Sequence, residues 1–209
     1  SKTTTESEFA EWFRHLFLQS YGKHVDVIRQ YLAEHNVCLV CEVILPTEDP
    51  HIIEYAQDRI VLLDIVHRQA KFAAVDQVER ERFAAMFGME TKRLAATLQT
   101  WEDFVTWYEQ VQGLDYLYDG VPIEGFVIED AQHWQVKAKL DYYSFWKRMR
   151  GVLDGLKVGR SPKRVAAYPH PEYAARVIAY MQGIPIDALA QMSIIDVRRR
   201  WQREQEKAV

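Results

Sequence analysis

The stretch IEGFVIEDAQHWQVKAKLDYY, Ile123 to Tyr143, puts one glutamate in an apolar run and, past a polar turn, two lysines one residue apart. Side chains two apart on a strand share a face, because successive residues alternate. Ammonium groups fixed in that way lie within reach of a common ligand. With EDAQH as a tight turn centred between Ala131 and Gln132, antiparallel pairing sets Val127 opposite Val136, Gly125 opposite Ala138 and Ile123 opposite Leu140. The other face then pairs Phe126 with Lys137 and Glu124 with Lys139. An exposed cross-strand pair between Glu124 and Lys139, worth about 0.2–1 kcal/mol, would place the same residues without any chemistry.

A further carboxylate, Glu42, sits inside Val37 to Leu45, a run otherwise free of charge. A carboxylate in such a strand needs a partner, a metal or a water-facing side, since burying it alone is costly.

The elements that must position these groups follow from periodicity. Phe9, Trp12, Phe13, Leu16 and Phe17 fall at i, i+3, i+4, i+7 and i+8, which predicts a helix over residues 8–20. A second helix is expected over residues 25–34. The period then changes: VCLVCEVILP and RIVLLDIVHR, separated by TEDPH, predict two buried strands. Helices are expected again over 77–87 and 101–112, the latter opened by Thr100 with Asp103 three residues on. A helix starts near Asp141, and GLKVGRSPKR reads as a linker before a small helical unit. The expected fold is therefore α+β, with domains at 1–150 and 151–209.

Composition bounds the function. The 209 residues are 48% hydrophobic and 12% aromatic, enough for a packed core, which excludes a disordered chain. No apolar run is long enough to span a bilayer and no signal peptide is evident, so a soluble, intracellular, cytoplasmic protein is expected. Cys38 and Cys41 form a lone C-x-x-C in a strand, where their spacing sends them to opposite faces. Two buried thiols are expected rather than a disulfide or zinc site. Residues 1–146 carry 13 Lys and Arg against 24 Asp and Glu, whereas residues 147–209 carry 13 against 6. A basic tail suggests contact with a polyanion, or simply a solvated helical surface.

Glu42 in its apolar strand, EGFV at Glu124 to Val127 and VKAK at Val136 to Lys139 stand in the order of three nucleotidyltransferase motifs. Together they resemble ATP-dependent RNA ligases of the bacteriophage and fungal tRNA ligase type. RIVLLDI resembles the hydrophobic strand after the family's third motif, and Ser1 and Lys2 resemble its serine-lysine pair. The resemblance implies a nucleotidyltransferase-type antiparallel sheet flanked by helices, followed by a small all-α C-terminal domain. It implies ATP as AMP donor, Mg2+, and RNA with 5′-phosphate and 3′-hydroxyl ends as substrate, in RNA repair or tRNA splicing, with fused or associated end-healing activities and no membrane. Lys137 and Lys139 would hold the α-phosphate, Glu42 and Glu124 would serve the ribose and the metal, and Lys2 would bind nucleotide phosphates. Family members append C-terminal domains that select RNA; here Arg198, Arg199, Arg200, Trp201 and Arg203 would combine phosphate-binding charge with a stacking aromatic.

One departure matters. The family's nucleophile is the lysine of a Lys-x-x-Gly motif, and none occurs in residues 1–209. That segment is expected before Ser1, which leaves this chain alone unable to form an adenylate. The alternatives are a GTP-using capping-type nucleotidyltransferase, a non-catalytic RNA-binding or scaffold protein retaining the ligase fold, and an accidental match in a generic α+β domain.

Overall fold

A computed structural model describes residues 4–207. The chain divides into two compact units, Ser1–Thr97 and Leu98–Val209.

The first unit is built from α1 (Glu8–Tyr21), α2 (Val25–Glu34), β1 (Val37–Ile44), β2 (Arg59–His67), α3 (Gln77–Phe87) and the short β3 (Glu90–Thr91). Ser7 caps α1 by accepting from the Ala10 N–H at 3.3 Å. Asp76 does the same for α3 through the Glu79 N–H, and Gly88 ends that helix in the left-handed region at φ +65°. β1 and β2 pair antiparallel from Val37 opposite His67 to Ile44 opposite Arg59, and β3 joins β2 in parallel. A bulge leaves Leu63 without a partner, because Cys41 faces Leu62 while Val40 faces Asp64. The extra residue lets Leu62 and Ile65, three apart, both become fully buried. They join Ile28, Val37, Ile60, Phe83 and Phe87 in one core. The buried Asp64 carboxylate is neutralised by Lys92 at 3.0 Å and Arg80 at 3.8 Å, and accepts from the Ile65 N–H.

On β1 the outward residues are Cys38, Val40 and Glu42. Cys38 is therefore exposed, a correction to the expectation of two buried thiols, whereas Cys41 on the inner side is half-buried. Both are free, and burial pushes the Cys41 thiol up to about 11. Only the thiolate is nucleophilic, so at pH 8 Cys41 alkylates slowly and its rate climbs as pH rises toward 11. In peptide-resolved mass spectrometry, Cys38 is expected to label with iodoacetamide well before Cys41. Equal rates at pH 8 would contradict this burial.

The second unit contains α4 (Trp101–Val111), the hairpin β4 (Gly125–Glu129) and β5 (Gln135–Lys139), α5 (Asp141–Lys157), α6 (Pro171–Gln182), α7 (Ile186–Ala190) and α8 (Ile194–Lys207). Thr100 and Asp103 form the expected capping box on α4. A second box opens α8: Ser193 and Asp196 bond reciprocally, and the Ser193 hydroxyl holds the Asp196 carboxyl below its usual range.

α5 is the spine of this unit. Its Phe145, Trp146, Met149, Val152 and Leu153 are buried at i, i+1, i+4, i+7 and i+8, and α6, α7 and α8 all pack against it. Residue 150 falls inside this helix, so the C-terminal helices fold around α5 rather than beyond it. The Lys157 ammonium ties the end of α5 to the Met192 carbonyl at 2.8 Å. The architecture is α+β, with small antiparallel and mixed sheets, flanking helices and an all-helical C-terminal part.

Candidate active site

The hairpin forms, but in a register one residue away from the expected one. Gly125 faces Lys139, Phe126 faces Ala138, Val127 faces Lys137 and Ile128 faces Val136. The reason is the turn. Asp130 Oδ1 accepts from the backbone N–H groups of Gln132 and Trp134, and the Asp130 N–H bonds the Trp134 carbonyl at 3.0 Å. His133 takes the left-handed conformation at φ 62°. This is a three-residue loop, Ala131 to His133, centred on Gln132. A centre moved by half a residue exchanges partners across the ladder.

The faces change accordingly. Phe126 lies on the apolar side with Ala138, and its ring meets Trp107 of α4 at 4.8 Å and Tyr118 at 5.9 Å. Val127 lies instead on the lysine side, half exposed at 52%. Lys137 and Lys139 still share one face, as period two requires.

Glu124 precedes the ladder, so strand alternation does not dictate where its carboxylate goes. Its backbone carbonyl accepts from the Leu140 N–H at 3.0 Å, and its carboxylate forms an ion pair with Lys139. Gly125 makes this approach possible. Its φ is +155°, and a Cβ there would lie 2.1 Å from the Ala138 carbonyl oxygen and 2.9 Å from Lys139 Cα. The EG of EGFV is thus a geometric unit, in which glycine lets β4 close onto β5 and glutamate meets the lysine opposite.

Tyr143, not singled out from sequence, completes the arrangement. The Lys139 ammonium lies 4.7 Å from its ring centroid and the Lys147 ammonium 5.5 Å from the same ring. The signal was available, since Tyr143 stands four residues after Lys139 and four before Lys147 at the start of a helix. Lys137 is exposed and has no ion-pair partner among the described residues.

Glu42 belongs to the first unit, where it faces outward, exposed, opposite Val61. Its carboxylate is solvated rather than buried in an apolar strand. Lys2 lies outside the described residues. The C-terminal cluster splits by helical period. Ile194, Val197, Arg198 and Trp201 form the buried stripe of α8, leaving Arg199, Arg200 and Arg203 exposed. Trp201 packs on Tyr180, donates its indole N–H to the Tyr173 hydroxyl at 3.2 Å, and is not free to stack on a base. The Arg198 guanidinium is buried near Tyr142 and Trp146 at 5.5 and 5.9 Å from their ring centroids. This corrects the expected RNA-binding role for Trp201 and Arg198; the i, i+3, i+4, i+7 spacing already present in the sequence explains it.

A half-buried glutamate is thus paired with one of two aligned lysines, on a hairpin whose close approach only glycine permits. The model of the RNA ligase family, of the T4 type, matches residues 1–143, and the chain belongs to that family. The matched segment contains the whole hairpin and ends at Tyr143, the ring beneath Lys139. A search of curated proteins found no match. No helix is long and apolar enough to cross a membrane, and no three His, Cys, Asp or Glu side chains gather into a metal site, among the described residues.

Proposed function

We propose that this RNA ligase joins 5′-phosphate and 3′-hydroxyl ends of RNA through lysyl-AMP and RNA-adenylate intermediates, with ATP as the AMP donor, in RNA repair or tRNA splicing. The observation that carries this reading is the alignment of Lys137 and Lys139 on one face of a hairpin whose glycine admits the Glu124 pair. In the sealing step the 3′-hydroxyl oxygen attacks the 5′-phosphorus, a P–O bond forms, AMP leaves with the electron pair of the bond that breaks, and the hydroxyl proton is lost.

Lys137, with no carboxylate to satisfy, supplies uncompensated positive charge to phosphate oxygens. Lys139 is oriented by Glu124 and Tyr143, so its ammonium is held in place before substrate arrives. Glu124 and Glu42, each considered within its own unit, would offer carboxylate oxygens to a ribose or to magnesium, as the family resemblance implies. Magnesium is commonly bound by one or two carboxylates together with substrate phosphates and water rather than by an all-protein cage, so a single carboxylate such as that of Glu124 is enough to take part. When bound it would add charge stabilisation at phosphate oxygens. Lys2 would assist phosphate binding.

Nucleophilic attack on ATP requires a lysine in the family motif that residues 1–209 lack, whereas sealing of an already adenylated RNA does not. Two outcomes are expected of the chain as it stands. Incubated with ATP and magnesium, it gains no mass corresponding to one AMP. Supplied with a pre-adenylated RNA and a 3′-hydroxyl acceptor, it joins them. Adenylation by this chain would place the nucleophile within residues 1–209. Failure to seal, with RNA binding intact, would instead favour a scaffold that retains the fold.

A further inference from the structure

Helix α5 leads straight out of the hairpin, and its second half floors a groove of about 660 Å³ that lies beyond the family match. Arg148 of the helix, Arg160 and Lys163 of the loop that follows it, and Tyr168 are among its lining residues. All three cations are exposed, and none has an ion-pair partner among the described residues. Asp154 is the sole carboxylate among the lining residues. The stretch GLKVGRSPKR, which reads as a plain linker in the sequence, ends α5 with its first three residues and supplies this loop with the rest.

Two glycines of the helix, Gly151 and Gly155, also line the groove. Glycine within a helix costs about 0.5–1 kcal/mol relative to alanine, and packing does not require it at 151, where a Cβ would have nothing within 4 Å. A bare stretch of helix in a cationic groove suits a ligand that must come close to the backbone. Position in the fold indicates which ligand. Tyr143, Lys147, Gly151 and Gly155 form one i, i+4 row along α5, and Lys139 sits over the ring at the head of that row. At 1.5 Å per residue the groove begins about 10 Å from the start of the helix and ends about 20 Å from it. A polyanionic strand held by its reactive end at the hairpin would pass along this row into the groove.

We propose that the groove binds the phosphodiester backbone of the RNA substrate a few nucleotides from the joined end, through Arg148, Arg160 and Lys163, with Tyr168 offering a ring for a base. The inference rests on the ligase reading of the hairpin for its direction along the strand. Single-strand affinity falls with salt at a slope of about 0.7 per phosphate neutralised, which makes the site countable.

The test is binding of a fluorescein-labelled single-stranded oligoribonucleotide to the 209-residue chain by anisotropy across a salt series. The triple variant Arg148→Gln, Arg160→Gln, Lys163→Gln should bind at least about tenfold more weakly, with a salt slope shallower by about 2. Gly151→Leu, a good helix former that changes no charge, should also weaken binding. A control triple on α8, Arg199→Gln, Arg200→Gln and Arg203→Gln, should lose less. Unchanged affinity and slope in the groove triple, or a larger loss in the α8 control, would overturn the proposal. So would a wild-type chain that does not bind RNA. Sealing of pre-adenylated RNA by Lys137→Ala is measured alongside. If sealing is indifferent to Lys137 while the groove triple still loses binding, the hairpin reading fails and the groove stands.

Discussion

Lys139→Ala is expected to slow the sealing of pre-adenylated RNA by about 10²- to 10³-fold in single-turnover assays, the range seen when one fixed donor is removed from charge developing on oxygen. Two losses combine in that variant. The phosphate oxygens lose a donor whose position Glu124 and Tyr143 had fixed, and the half-buried Glu124 carboxylate loses its cation and becomes a repulsive neighbour for phosphate. Lys137→Ala should cost a comparable factor in sealing, but by a different route. Having no partner among the described residues, Lys137 contributes nothing to the hairpin itself, so the thermal midpoint of that variant should match wild type. Lys139→Arg separates charge from geometry: a planar guanidinium keeps the charge but cannot reproduce a compact ammonium between a carboxylate and a ring. Activity within twofold of wild type for Lys139→Ala would remove the hairpin from the reaction.

Gly125→Ala should be as damaging to sealing although it deletes no charge. The added Cβ would meet the Ala138 carbonyl oxygen at 2.1 Å and Lys139 Cα at 2.9 Å, both backbone positions that cannot swing aside. The native φ of +155° is moreover one that L side chains rarely adopt. Strain and overpacking together are expected to cost about 2–6 kcal/mol, with the strand end forced away from β5 before the core is disturbed. Denaturant unfolding should show the lost stability. Sealing should fall further than a uniform loss of folded protein accounts for, because the Glu124–Lys139 pair depends on this approach. An alanine variant of wild-type stability and activity would show that β4 and β5 do not close as tightly as described.

Much of the framework was legible along the chain. The spacing of Phe9, Trp12, Phe13, Leu16 and Phe17 specified α1, the Thr100–Asp103 pair specified the start of α4, and the valine- and isoleucine-rich runs specified β1 and β2, because each is a local preference read over a few residues. The resemblance carried by EGFV and VKAK likewise pointed to the family that the chain belongs to.

Periodicity along the chain is enough to say which residues share a face: Lys137 with Lys139 by period two, and Trp201 with Arg198 by period 3.6. The partner that each face meets is settled by long-range packing instead. The register of the hairpin hung on whether the turn held two residues or three, a choice made by Asp130 bonding two backbone N–H groups and by His133 accepting a left-handed backbone. The glutamate met its lysine through a non-repeating kink at Gly125, and the linker became one wall of a cationic groove through the way it returns against α5. Local patterns are fixed by bonds within a few residues, whereas partners across a turn or between helices are chosen by the free energy of the assembled chain, which no single segment contains.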